Sequence, residues 1–372
     1  MPRAGAVRRS ETSRSFQALR AYLASRIDEG LVPGAVFAAG RAGAAVHIEA
    51  MGHRALFPRP EPMTEGTIFD LASLTKPMVT APLLVELALR GALGLEDPLE
   101  RHLEETSGSR VGSLTLGALL AHTSGLPAMN PLEDYAGGKP RLYAAIAREP
   151  LAAEPGERLI YSDVGYMLAQ GVIERAAGRG LDRLAREEIF GPLGFRDTAF
   201  RTRAKDRPRV APTERLHGDR GPWLRGRVHD PRARSRAMAG VAGNAGVFGT
   251  AAETARFCAM LLRGGRDGRR RILRSETVRL MTTNQCPPAL GVRRGLGFDI
   301  ESPYSAPRGA LFSGESYGHT GYTGVSMWID PGNEAYFVLL TNSLHAGGHK
   351  DLKSFRSEAG TRAARGLGIG GA

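Results

Sequence analysis

The order in which strand-like and helix-like segments follow one another is the feature that most restricts the fold of this chain. Residues 34–52, GAVFAAGRAGAAVHIEAMG, contain two apolar runs joined by GRAG and predict a β-hairpin. Three further strand patterns, GLGFDI, GVSMWID and AYFVLLTN, lie between residues 295 and 342. Strands at both ends with helices between them indicate one sheet that is built from both ends of the chain.

The rest of the chain carries mostly helical patterns. Helices are predicted to begin near Ser73, Thr115, Arg141 and Asp163, and TAAETARFCAMLL at residues 250–262 predicts another. An amphipathic pattern precedes the hairpin, and a weaker helical pattern follows the last strand.

We therefore expect an α+β fold in a single domain, residues 1–372. Residues 12–72 and 251–366 should form an antiparallel sheet flanked by helices. Residues 73–250 should form an all-helical inserted subdomain with irregular loops rich in Arg, Pro and Gly. Because pockets form preferentially where two such parts meet, a functional site is expected at the seam.

Composition and charge exclude several classes of protein. The formal charge of +12 comes from arginine patches without interleaved aromatic residues, which favours a solvated surface over a specific nucleic-acid site. No apolar run approaches the roughly 20 residues of a membrane span, and the basic N-terminus lacks the apolar core of a secretory signal. Cys258 and Cys286 do not make a disulfide framework. We expect a soluble cytoplasmic protein without a membrane partner, and predict no oligomeric state.

The stretch DLASLTKPMVT, residues 70–80, contains the first candidate for chemistry. Ser73 and Lys76 are three positions apart, so on a helix their Cβ atoms would lie about 5–6 Å apart on one face. A helix start also offers unpaired amides and a partial positive charge. The pattern fits a nucleophile with its base, but S-x-x-K is also common by chance, and serine is a favoured residue for capping a helix.

Two further motifs follow in the chain. LIYSDVGYML places Tyr161 before a helix start and Asp163 two positions later, and GHTGYTG places His319, Thr320 and Gly321 in a turn before a strand. Taken singly, these could be a core aromatic residue, a helix cap and hairpin geometry.

Together the motifs S-x-x-K, Y-S-D and H-T-G resemble those of the penicillin-recognising serine hydrolases. The pattern is most similar to the class C β-lactamase-like branch, which includes esterases, D-peptidases and acyltransferases. The resemblance runs from residue 33 to residue 345. It also includes the segments TIFDLASLTKPMVT, LLAHTSGLP, EPGERLIYSDVGYMLAQ, IFGPLGFRDTAF, GVAGNAGVFGTA and RGLGFD.

The resemblance implies a role for each motif residue. Ser73 would be the acylated nucleophile, and Lys76 and Tyr161 would share proton transfer as general base and acid. The backbone amides of Ser73 and Tyr322 would form the oxyanion hole. Substrate binding would fall to the remaining motif residues, namely Asp163, His319, Thr320 and Gly321. No cofactor is implied, and no C-x-x-C spacing suggests a metal site.

Two positions depart from the usual motifs of the family. His319 stands where lysine is common, and Asp163 stands where asparagine is common. In β-lactamases and D,D-peptidases the lysine helps to bind a substrate carboxylate, whereas histidine is largely neutral at pH 7. Both departures favour a small-molecule ester, or an amide, that lacks this carboxylate. We hypothesise that Asp163 pairs with Lys76 and keeps it charged, leaving Tyr161 to move the proton.

A second serine offers a rival nucleophile. GESYG, residues 314–318, matches the G-x-S-x-G elbow, and Ser316, Asp330 and His345 follow in Ser–Asp–His order. The elbow needs a strand before the serine and a helix after it, whereas a turn and a strand follow here. Ser316 is therefore the weaker candidate.

The motif set around Ser73 is also compatible with different activities. β-Lactamase or D,D-peptidase activity, or acyl transfer to a small-molecule or peptide-like partner, would need the same nucleophile. A catalytically idle ligand-binding homologue is the non-enzyme possibility, and its signature would be loss of Ser73, Lys76 or Tyr161; all three are present. His229 and Asn244 could border the cleft or hold a loop.

Overall fold

The computed structural model describes residues 15–216, 221–348 and 350–370. Its α-helices are α1 (Gln17–Asp28), α2 (Ala81–Leu89), α3 (Leu116–Ala121), α4 (Lys139–Ile146), α5 (Asp163–Ala177), α6 (Leu181–Leu184), α7 (Ala251–Leu262), α8 (Ser275–Thr282) and α9 (Lys353–Gly366). Its strands are β1 (Gly34–Arg41), β2 (His47–Ala55), β3 (Glu61–Pro62), β4 (Phe69–Asp70), β5 (Phe248–Gly249), β6 (Arg266–Asp267), β7 (Arg270–Arg271), β8 (Arg293–Arg294), β9 (Asp299–Glu301), β10 (Tyr317–Thr320), β11 (Ser326–Asp330) and β12 (Ala335–Thr341).

The main sheet joins the two ends of the chain. Its eight strands lie in the order β3-β2-β1-β12-β11-β10-β9-β8, and neighbouring strands are antiparallel. The seam is the pairing of β1 with β12, in which Val36 lies opposite Leu340. The α+β class and the antiparallel sheet built from both chain ends are confirmed.

Both faces of the sheet are covered, which explains why β1 is apolar at consecutive positions. Val36 and Ala38 face the larger core, where α7 packs against β1 and β12. Phe37 and Ala39 point to the opposite face, into a second core that includes residues of α1 and α9. Successive side chains of a strand point to opposite faces, so a strand buried on both sides is apolar throughout.

The inserted segment leaves and rejoins the sheet region at one place. β4 and β5 pair with each other, with Phe69 opposite Gly249, so the two ends of the insert are joined side by side. Between them the regular structure of the described residues is helical, apart from isolated bridges such as Pro98 with Thr115. α3 begins one residue after the predicted start and α5 begins at Asp163 as predicted.

The helix predicted to begin at Ser73 is irregular in its first part. A 3₁₀ turn at Ala72–Leu74 is followed by a π-helical segment at Lys76–Thr80, and α2 begins only at Ala81. Pro77 and Pro82 have no amide hydrogen to donate, which interrupts the regular α-helical ladder here. Residues 72–89 have the length and apolar character of a membrane span, but 78% of that stretch is buried inside the fold.

Candidate active site

The segment that carries Ser73 is a strained turn after β4. Ala72, immediately before Ser73, has a φ of +46° although it is not glycine, a conformation that persists where surrounding contacts fix it. Asp70 Oδ1 accepts a hydrogen bond from the Ala72 amide at 2.9 Å, and Thr75 Oγ1 donates to the Ala72 carbonyl at 2.7 Å. These contacts place Ser73 in the first turn of the helical stretch.

Lys76 lies behind Ser73 with its side chain fully buried. Its Nζ donates hydrogen bonds to Ser73 Oγ at 3.1 Å, Asp163 Oδ1 at 2.6 Å and the Asn244 carbonyl at 3.2 Å. An ammonium has three hydrogens to donate, so three acceptors fit the charged form. Burial lowers the pKa of Lys76, but the Asp163 carboxylate and the Tyr161 phenol outweigh it and hold that pKa above its ordinary value.

Tyr161 is positioned by the N-terminal cap of α5. The cap residue Ser162 accepts a hydrogen bond from the Gly165 amide at 3.2 Å, and its own amide donates to Nδ1 of buried His122 at 3.0 Å. The rings of Tyr161 and His122 have centroids 4.4 Å apart. Lys76 Nζ lies 4.7 Å from the centroid of the Tyr161 ring, so its positive charge would favour any negative charge on the tyrosine oxygen.

His319 of β10 lies beside Tyr161. Its Nδ1 is 2.7 Å from the Thr320 carbonyl oxygen, which can only accept, so the ring proton resides on Nδ1. Nε2 then accepts a hydrogen bond from the Tyr161 hydroxyl at 3.3 Å. Burial, together with the positive charges of Lys76 and Arg294, holds the pKa of His319 well below its ordinary value. His319 is therefore neutral at pH 7.

The turn that carries Tyr322 packs against the end of β4 and the residue after it. Thr323 Oγ1 donates to the main-chain oxygen of Asp70 at 2.8 Å. A Cβ atom on Gly321 would lie 2.9 Å from the Leu71 carbonyl oxygen, so this close approach requires glycine. The two backbone segments predicted to form the oxyanion hole are therefore neighbours in space.

Arg356 of α9 supports the same turn. Its Nη2 donates hydrogen bonds to the carbonyl oxygens of Gly321 at 2.7 Å and Val325 at 3.2 Å. Burial lowers the pKa of Arg356 to about 10, so the guanidinium keeps its charge at neutral pH. A helix near the C-terminal end of the chain thus contributes directly to the geometry of the site.

These residues surround a cavity of about 950 Å³ at the seam between the sheet and the insert. The sequence-predicted residues that line it are Ser73, Tyr161, Asp163, His319, Thr320, Gly321 and Tyr322. His229 and Asn244, left open between a loop role and a cleft role, also line it. Among the described residues, no group of three or more His, Cys, Asp or Glu side chains could hold a metal ion.

Arg294 is a pocket residue that the sequence reasoning missed. It lines the cavity with its side chain almost completely buried, and its Nη1 donates to Asp299 Oδ1 at 3.0 Å. Its Nε and Nη2 have no hydrogen-bond partner among the described residues. The segment RGLGFD pointed to this region, but not to the burial of the arginine. The cavity wall therefore carries the positive charge of Arg294, while the negative charge of Asp163 is paired with Lys76.

The rival Ser–Asp–His set is not assembled in the structure. Ser316 is fully buried, its Oγ has no partner within the described part of the chain, and the strand β10 follows it instead of a helix. The Asp330 carboxylate accepts hydrogen bonds from Ser313 and Asn333. His345 Nε2 accepts the amide of Leu56. The arrangement gives Ser316 neither access nor a base.

Known proteins are similar to this chain in sequence or in fold. A candidate D-alanyl-D-alanine carboxypeptidase of Escherichia coli K12 is 33% identical over 318 residues, which are 78% of this chain and 72% of that protein. EstCE1, described as a hydrolase with promiscuous acyltransferase activity, has a TM-score of 0.74 at 23% identity, with 95% of this chain and 99% of EstCE1 covered.

Two further solved structures have the same fold at lower identity. A class C β-lactamase has a TM-score of 0.74 at 17% identity, covering 95% of this chain and 97% of the other. Unliganded simvastatin synthase LovD from Aspergillus terreus has a TM-score of 0.72 at 21% identity, covering 94% and 98%.

Fold and relatives together define a serine hydrolase with a β-lactamase/transpeptidase-like fold. The sequence model of the beta-lactamase family matches residues 19–360, and this chain belongs to that family.

Proposed function

We propose that this protein hydrolyses small-molecule carboxylic esters, or the corresponding amides, through an acyl-enzyme on Ser73. The observation that carries the proposal is the 3.1 Å contact of Lys76 Nζ with Ser73 Oγ, while the same Nζ is paired with Asp163. The structural neighbour EstCE1, a hydrolase with promiscuous acyltransferase activity, supports acyl transfer from a similar fold.

Acylation begins when Ser73 Oγ attacks the carbonyl carbon and its proton passes to the Tyr161 oxygen, which has first given up its own proton to solvent. Lys76, kept charged by Asp163, stabilises the negative charge on the tyrosine oxygen. The backbone amides of Ser73 and Tyr322 donate hydrogen bonds to the oxyanion of the tetrahedral intermediate. Tyr161 then protonates the leaving oxygen or nitrogen.

Deacylation reverses the same proton path. The water oxygen attacks the carbonyl carbon of the acyl-enzyme while the water gives a proton to Tyr161. The Ser73 oxygen then leaves and takes up that proton. His319 Nε2 accepts the hydrogen bond of protonated Tyr161 and so orients the hydroxyl between its two proton transfers. An alcohol that replaced water would make the same site an acyltransferase.

A fluorophosphonate probe, which transfers its phosphonyl group to an activated serine, tests the acyl-enzyme proposal. We expect one probe molecule to bind per protein molecule. Mass spectrometry of proteolytic peptides should place the label on the peptide that contains Ser73. A label on Ser316, or ester hydrolysis by a protein that takes no label, would contradict the proposal.

Hydrolysis of peptides that end in D-alanyl-D-alanine is the second candidate function. The curated relatives named for this activity favour it, and so does the buried cation Arg294 in the cavity wall. Comparison of kcat/KM for D-alanine release from such a peptide with kcat/KM for nitrophenyl esters separates the candidates. A higher value for the peptide would make the carboxypeptidase reaction the principal one.

We expect Asp163→Asn to move the alkaline limb of the kcat/KM–pH profile to lower pH. The Asp163 carboxylate raises the pKa of Lys76, so a neutral amide would let Lys76 lose its proton at lower pH. If catalysis needs charged Lys76, activity falls where that proton is lost.

The matched control is Asp182→Asn, which removes a carboxylate that pairs with Arg201 outside the cavity. Its profile should overlay that of the wild type. An unchanged profile for Asp163→Asn would refute the pairing role. A gain in activity near neutral pH would instead make neutral Lys76 the base.

A further inference from the structure

Exposed apolar side chains concentrate at the cavity. Among the described residues, the large hydrophobic side chains that remain exposed are Val46, Phe57, Met129, Leu132, Tyr304 and Tyr322. Half of these, namely Met129 at 57%, Tyr304 at 47% and Tyr322 at 51% exposure, line the active-site cavity. Single exposed hydrophobic residues are normal on a protein surface, whereas a group around one cavity marks a binding site.

Tyr304 lies on the side of the cavity where the leaving group is protonated. Its ring centroid is 5.7 Å from that of Tyr161. Its loop is fixed, because Ser302 Oγ accepts the Tyr304 amide at 3.1 Å and donates to Asp299 Oδ1 at 2.6 Å. In the proposed mechanism Tyr161 delivers a proton to the leaving atom. The group attached to that atom therefore departs beside Tyr304.

Tyr322 lies on the side of the carbonyl group. Its amide is the proposed oxyanion donor, and its ring stacks on His229 with centroids 5.5 Å apart and an interplanar angle of 10°. The carbonyl carbon carries both the acyl chain and the leaving group, and the leaving group departs beside Tyr304. The acyl chain is therefore assigned to the side of Tyr322.

We propose that the enzyme selects substrates that are apolar on both sides of the scissile bond, with Tyr322 contacting the acyl group and Tyr304 contacting the leaving group. This inference rests on the proposed function, since the proposed chemistry assigns each tyrosine to one half of the substrate. The substrate class is an ester, or amide, that joins an aliphatic or aromatic acid to an aliphatic or aromatic alcohol or amine.

Two series of esters with increasing chain length test the proposal directly. A methylene that moves from water into an apolar contact improves kcat/KM by about fourfold. One series varies the acyl chain of nitrophenyl esters, and the other varies the alkyl alcohol of esters of one fixed acid. In the wild type we expect kcat/KM to rise with chain length in both series.

Two variants should distinguish the contact of Tyr322 with the acyl group from the contact of Tyr304 with the leaving group. Tyr322→Ser keeps its backbone amide, and we expect it to reduce the acyl-series increase to less than about twofold per methylene while leaving the alcohol series unchanged. Tyr304→Ser should reduce the increase in the alcohol series and leave the acyl series unchanged. A slope within one variant does not depend on the amount of folded enzyme. Val46→Ser is the matched control, since Val46 is exposed outside the cavity, and both its slopes should equal those of the wild type.

The outcomes distinguish this inference from the proposed function. Hydrolysis that depends on Ser73 but not on chain length would overturn the inference alone. Equal flattening of both series by either variant would overturn the assignment of the two tyrosines. Absence of any hydrolysis dependent on Ser73 would overturn the proposed function, and the inference with it.

Discussion

Ser73→Ala is expected to lower kcat for hydrolysis of a short-chain nitrophenyl ester by at least about 10³-fold. Without Oγ no acyl-enzyme forms, and water must attack the ester directly. The backbone amides proposed to form the oxyanion hole remain in the variant, so a small residual rate should persist. Because Ser73 is only partly buried and loses one hydrogen bond, to Lys76, the folded state should be little affected. Steady-state kinetics with a thermal unfolding curve would establish both points.

Ser316→Ala is the matched control for this experiment. Ser316 is fully buried and its Oγ has no partner among the described residues, so its loss should leave kcat within about twofold of the wild type. Activity that survived Ser73→Ala and disappeared in Ser316→Ala would reverse the assignment of the nucleophile.

Lys76→Met should have the second-largest effect, because it affects both activity and stability. The variant removes the cation that stabilises charge on Tyr161 in the proposed mechanism, and we expect kcat to fall by about 10³-fold. It also leaves the Asp163 carboxylate, whose side chain is 24% exposed, without its partner. Breaking a buried pair in this way costs about 3 kcal/mol of unfolding free energy, at the low end for buried pairs because Asp163 is partly solvated.

The double variant Lys76→Met/Asp163→Asn separates the two effects. Removal of the unpaired carboxylate should recover much of the lost unfolding free energy, measured by urea denaturation, without recovering kcat. Lys139→Met breaks a lysine–carboxylate pair with Glu174 outside the cavity, and it should leave kcat unchanged. Recovery of kcat in the double variant would show that Lys76 acts only through stability.

The contacts among the candidate site residues that the sequence anticipated depend on short spacing or on ordered motifs. Ser73 and Lys76 are three residues apart, so a single helical turn brings them together whatever the rest of the fold does. Asp163 and Lys76 are far apart in the chain. Their pairing followed from the order of the motifs and from opposite charge, and the structure contains it at 2.6 Å.

The parts that the sequence could not provide depend on burial and on loop conformation. Nothing local distinguishes Arg294 from the many solvated arginines of this chain, since its burial requires Asp299 on the neighbouring strand. Tyr304 lies in a loop whose path is set by hydrogen bonds at Ser302. The late start of α2 was also missed, because a helical period in sequence does not show how two prolines alter the hydrogen-bond ladder.

The pairing of β1 with β12 has a consequence for how the protein is made. Val36 cannot pair with Leu340 until Leu340 has been synthesised. At a translation rate of about 5–20 residues per second, this delay is on the order of 15–60 s. During that time one edge of an apolar strand has no partner, which exposes the nascent chain to aggregation and to chaperones. Arg356, which supports the turn carrying Tyr322, emerges later still. More than 300 residues after Val36 must therefore be synthesised before Arg356 can contact the turn that carries Tyr322.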